Sequence, residues 1–167
     1  RQASRVCRRH AGNGWLIGYF TDDGLDWNAQ GGGSEAFMGW FLGLDDQAPG
    51  RRALLRFLED RYLNIAELNE AWATSYHSFD EIGRTPQVGS RLPQADADGF
   101  QQFAAGEYFR TVAEAIQAAD EHHLVLGQRF EGEAPLPVLA AMNGYVSLVS
   151  LAMSAGPPSP AHLRQIQ

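Results

Sequence analysis

The chain has 167 residues, 44% hydrophobic and 20% charged, with 13 basic against 20 acidic side chains and a net charge of -7. Every basic residue is arginine, so a phosphate-loop lysine, a Schiff-base lysine and a lysine general base are excluded. The acidic balance argues against nucleic-acid binding by bulk charge, and the lone Cys7 rules out an internal disulfide or a zinc site with more than one thiolate.

The opening Arg1-Gln2-Ala3-Ser4-Arg5-Val6-Cys7-Arg8-Arg9 reads as the middle of an amphipathic helix with Val6 as its main apolar residue, so the sequence is expected to continue something longer. Gly12-Asn13-Gly14 breaks it, and Trp15-Leu16-Ile17-Gly18-Tyr19-Phe20 suits a fully buried strand of a parallel sheet. A polar stretch over 21–27 follows, then three glycines and a short helix begun by Ser34 and Glu35. Leu54, Leu55, Leu58 and Tyr62 recur at helical spacing from Arg51. Asn64 with Glu67 forms a capping box for a helix over 65–73 with Leu68 and Trp72 inward, and Ser78 with Glu81 repeats it.

Residues 85–93 read as loop. The longest helix is expected over 98–121, with Phe100, Phe103, Ala104, Tyr108, Val112, Ala115 and Ala119 as one apolar stripe. A second strand is expected over 123–130, a short helix over 138–142 ended by Gly144, and a third strand over 145–151. Ser159-Pro160 caps a final helix. This alternation predicts an α/β fold with parallel strands and right-handed crossovers, in a single domain over 1–167. No apolar run approaches the roughly 20 residues needed to cross a bilayer. The composition is that of a soluble protein, and the compartment stays open between cytoplasm and exterior.

In parallel α/β folds ligands bind beyond the carboxyl ends of the strands, which directs attention to residues 21–27, 128–133 and 152–158, the first being the richest. Asp22, Asp23 and Asp26 are close enough for two to face one cleft, with Trp27 as an aromatic platform. Paired carboxylates beside an indole suit sugar chemistry; the alternative is an acidic loop in which Asp22 or Asp26 caps the next segment. Arg129 can grip substrate oxygens as a fork, or pair structurally with Asp22, Asp23 or Glu131. His122 and His123 read as a surface histidine and a helix C-cap. Cys7 and His10 lie one helical turn apart without a third ligand nearby, so neither a metal nor a cofactor is expected.

Leu16-Ile17-Gly18-Tyr19-Phe20-Thr21-Asp22, with Leu25 and Trp27, resembles the fourth strand of retaining glycoside hydrolases of the β-agarase and β-galactosidase kind. The likeness continues through Phe57-Leu58-Glu59-Asp60-Arg61-Tyr62, Ile65-Ala66-Glu67-Leu68-Asn69-Glu70-Ala71-Trp72, Tyr108-Phe109-Arg110, His123-Leu124-Val125-Leu126-Gly127-Gln128-Arg129-Phe130 and Tyr145-Val146-Ser147-Leu148-Val149-Ser150. It implies part of a (β/α)8 TIM barrel, strands four to six, since a full barrel needs about 250 residues. It further implies a carbohydrate partner, the hydrolysis of β-linked galactose-containing polysaccharide in the parent family, and Asp22, Trp27 and Arg129 in its subsites.

In that family strand four ends Asp-Asn-Glu, the glutamate being the acid/base. The asparagine falls on Asp23 and the glutamate on Gly24, which has no proton to give; Asp23 is the neighbouring carboxylate that would have to replace it. The nucleophile strand, the seventh, is expected beyond the last helix here. The resemblance therefore implies a chain inactive by itself, the alternatives being a carbohydrate-binding module or an α/β module that self-associates through open sheet edges.

Overall fold

The computed structural model describes residues 2–84, 92–131 and 133–152. Its elements in chain order are α1 (Gln2–His10), β1 (Gly18–Asp23), α2 (Gly33–Leu42), α3 (Pro49–Arg61), α4 (Ile65–Trp72), a 3-10 turn (Phe79–Glu81), α5 (Gln94–Gln117), β2 (Leu124–Glu131), α6 (Leu136–Met142) and β3 (Ser150–Ala152). The expected loop at 85–91 and the helix after Ser159 lie outside the described residues. Where the sequence reads as one domain, the chain divides into two compact units, Arg1–Asp26 with Gln102–Gln167, and Trp27–Gln101. The physical reason is that the long excursion after β1 builds a core of its own.

In the first unit, β1, β2 and β3 form a parallel sheet in that order. This confirms the mixed helix–strand class with parallel strands. β1 begins at Gly18, three residues later than expected, and is half-exposed, with Trp15 96% and Ile17 73% exposed. Gly18 marks the start because a Cβ there would come 2.3 Å from the Leu124 carbonyl oxygen, so only glycine lets the two backbones approach. Among the described residues β1 pairs on one side only, which leaves the preceding apolar residues uncovered. β3 is shorter than the expected 145–151; before it, the Ser147 amide reaches across to the Val125 carbonyl at 2.7 Å.

Two compensating irregularities interrupt the β1–β2 ladder. Tyr19 faces Val125 and Phe20 faces Gly127, skipping Leu126; Asp22 then faces Gln128, skipping Thr21. Gly127, at φ 69°, supplies the left-handed conformation, and a Cβ there would come 2.9 Å from Met142. Beyond them the register is regular again, with Asp23 opposite Arg129.

The core of this unit includes Cys7, Ala113, Ile116 and Val125. On α1 the buried residue is Cys7, while Val6 is 43% exposed, the reverse of the expectation. On α5 the buried stripe runs Ala97, Phe100, Ala105, Phe109, Ala113 and Ile116; Phe103 is 42% exposed. The expected stripe is thus rotated by one residue after Phe100, because alanines on several faces leave the apolar period ambiguous.

In the second unit, Met38, Leu54, Leu58, Leu68, Trp72, Ile82 and Phe100 form one buried cluster, the inward positions expected for Leu68 and Trp72 among them. Asn64 caps α4 by accepting from the Ala66 and Glu67 amides at 3.0 and 3.1 Å. Glu67 closes the box one residue early, accepting from the Leu63 amide. Ser78 makes no side-chain cap; there Glu81 accepts from the His77 amide instead.

Candidate active site

Parallel strands lift their carboxyl ends to one edge, and a cleft of about 310 Å³ opens there in the first unit, lined by Phe20, Thr21, Asp22, Asp23 and Arg129. Residues of both faces of β1 reach it, because it lies at the end of the strand. Asp23 and Arg129 face each other in register, and the guanidinium donates from Nε and Nη2 to the two Asp23 oxygens at 2.8 and 2.7 Å. Of the three carboxylates considered as partners for Arg129, the structure selects Asp23. The fork is exposed at both ends, so it presents a fixed array of polar atoms to solvent more than it stabilises the fold.

Asp22 follows the opposite alternation. Its carboxylate accepts from the Tyr108 hydroxyl of α5 at 2.6 Å. Burial, and then the neighbouring carboxylate, push the Tyr108 phenol up to about 12, so the hydroxyl stays a donor throughout the neutral range. Asp22 and Asp23 therefore both line the cleft but are held by different partners. Gln128, opposite Asp22, is fully buried and donates to the Leu25 carbonyl at 2.7 Å, anchoring the loop that follows β1.

Trp27 departs from its expected role. It is only 6% exposed, and its ring packs 5.8 Å from Phe37, so the indole serves as core, not as an open stacking platform. The exposed ring that lines the cleft is Phe20, at 52% exposure. Its signal in the sequence was its place three residues before Asp23 on the same strand, masked by the reading of that strand as fully buried. Gly24 has φ 75°, and its amide donates to the Arg129 carbonyl at 3.0 Å.

A second polar cluster, missed in the sequence, sits at the amino end of the strands. Asp120, with its side chain fully buried, accepts from the Tyr19 hydroxyl at 2.6 Å and from the His122 and His123 amides, and it pairs with the His123 ring at 2.7 Å. His122 is exposed as expected, but His123 is 9% exposed and its other ring nitrogen meets the Asn13 carbonyl. Among the described residues no group of three or more histidine, cysteine or acidic side chains could hold a metal ion. Among them too, no helix is long and apolar enough to cross a membrane.

No protein-family model matches the chain. In an alignment of 147 residues that covers 81% of the chain, it is 32% identical to β-agarase A of Vibrio sp. (strain JT0107). Among solved structures, the protein designated PfGH50B matches 89% of the chain with a TM-score of 0.79 at 23% identity, a likeness of fold. An exo-β-agarase matches 90% of the chain with a TM-score of 0.73 at 28% identity. The chain spans 15% of the length of β-agarase A and 23% and 22% of the two solved chains. The chain is therefore similar, over nearly its whole length, to a portion of much longer glycoside hydrolases of the β-agarase kind.

Proposed function

We propose that the chain forms strands four to six of a (β/α)8 barrel and one wall of a cleft for β-linked galactose-containing polysaccharide. The observation that carries this reading is the Asp23–Arg129 fork on the carboxyl-end cleft, where barrels of this kind bind substrate. The fork offers donors and acceptors at fixed spacing to sugar hydroxyls, and Phe20 offers an apolar face beside them. Asp22, tied to Tyr108, holds the wall in place.

Gly24 favours a second reading, a non-catalytic carbohydrate-binding module, because no side chain at that position can protonate a glycosidic oxygen. Self-association through the outer edge of β1 belongs to the same alternative. Both carbohydrate readings require the cleft to select its sugar. Calorimetric titration with agaro-oligosaccharides is expected to show saturable binding, and cello-oligosaccharides of equal length none. Absence of binding to the agaro-series would overturn the proposal.

A further inference from the structure

The position left empty by Gly24 is faced by a carboxylate from the neighbouring strand. A Cβ built on Gly24 would lie 3.5 Å from Glu131 Oε1, 3.6 Å from its Cδ and 3.9 Å from its Cγ. Glu131 ends β2 two residues after Arg129, so strand alternation puts both on one face of the sheet. Asp23, on β1, reaches that face too, but both its oxygens accept from Arg129, whereas the Glu131 carboxylate is exposed and joins no hydrogen bond or ion pair among the described residues. Glutamate is also one methylene longer than aspartate. The adjacent strand thus delivers an unengaged carboxyl group to the place where strand four lacks one.

Resting on the glycoside hydrolase reading, we propose that Glu131 is the proton donor of this cleft. Its carboxyl proton passes to the glycosidic oxygen as the C1–O bond breaks, and the bond's electron pair stays on that oxygen. A carboxylate nucleophile on the opposite face of the sugar supplies the pair that forms the new bond to C1. In the second step the Glu131 carboxylate takes a proton from a water molecule, whose oxygen bonds to C1 as the nucleophile leaves.

The test separates proton donation from sugar binding. A galactose-derived fused imidazole carries a ring nitrogen where the glycosidic oxygen would stand, and accepts a proton there in the ring plane. It and an agaro-oligosaccharide are titrated into the wild-type chain and into Glu131→Gln, with far-UV circular dichroism confirming that both are folded. The expected result is at least about a tenfold loss of imidazole affinity in Glu131→Gln, with oligosaccharide affinity nearly unchanged. Glu131→Asp is expected to fall between the two. Equal imidazole affinity in wild type and Glu131→Gln, or an equal loss for both ligands, overturns the role of Glu131 and leaves the binding reading standing. Failure of the wild type to bind either ligand overturns the binding reading, and the proton donor with it.

Discussion

Arg51→Ala is expected to destabilise the Trp27–Gln101 unit by about 1–3 kcal/mol, the cost of leaving buried backbone acceptors without their donor. Arg51 is 1% exposed at the start of α3. Its guanidinium donates to the Leu42 carbonyl at 2.5 Å, the Ile82 carbonyl at 2.8 Å, the Asp80 carbonyl at 3.4 Å and Asp46 Oδ1 at 3.1 Å. One side chain thereby ties the end of α2, the loop before α3 and the 3-10 turn to the same helix. Alanine leaves those backbone acceptors without donors and removes the packing of a fully buried side chain.

Arg51→Lys should recover only part of the loss, because an ammonium group cannot span four acceptors in the plane a guanidinium does. Chemical denaturation of the three proteins measures both effects. A loss below about 1 kcal/mol in Arg51→Ala would mean that the carbonyls find water and that the staple is dispensable.

Asp120→Asn should give the chain a flatter dependence of stability on pH. Burial alone would raise the Asp120 pKa; the hydrogen bonds from Tyr19, the His122 amide and His123 overcome it and hold the carboxyl down to about 2. Its stabilisation is therefore present above the unfolded value near 3.9 and is lost as pH falls towards about 2. His123 shifts the other way: the Asn13 carbonyl and then Asp120 raise its pKa above 6.5, against the effect of burial. Its contribution is complete below the unfolded value and is lost as pH rises through the folded one.

Both contributions are complete only between about pH 4 and 6.5. The difference in Tm between wild type and Asp120→Asn should be largest there. Towards pH 8 it should shrink but persist, since Tyr19 still donates to the carboxylate; towards pH 2 it should nearly vanish. Thermal melts across that range check it, and a difference independent of pH would contradict the assignment.

Local signals were the legible part of this protein. Asn64 announces a helix start through its own side chain, and Leu54, Leu58, Leu68 and Trp72 are buried where helical spacing puts them. The parallel order of strands follows from the alternation of segments, as the sheet confirms. Features set by strand register were not legible. Tyr19 meets Asp120 across 101 residues, and Asp22 meets Tyr108 across 86, because α5 and the turn after it lie beside β1 and reach both of its ends. The two irregularities around Gly127 cancel, so Asp23 faces Arg129 in the same register that pairs Tyr19 with Val125, and no pattern in either strand reveals that register.

Trp27 shows the opposite error. An indole beside three carboxylates suits a sugar platform, but here its large apolar surface is buried against Phe37. The resemblance to glycoside hydrolases directed attention to the right end of the strands. It could not show that Glu131 stands against Gly24, because that contact depends on how two strands of this chain are aligned.

Whether the carboxyl-end cleft of the first unit holds the sugar is read from two-dimensional amide spectra of the labelled chain during titration with an agaro-oligosaccharide. Shift changes are expected to concentrate at residues 20–24 and 129–131, and Arg129→Ala is expected to abolish them. Changes centred on Asn13, Asp120 and His123 at the other end of the strands, or saturation undiminished in Arg129→Ala, would contradict that placement of the sugar.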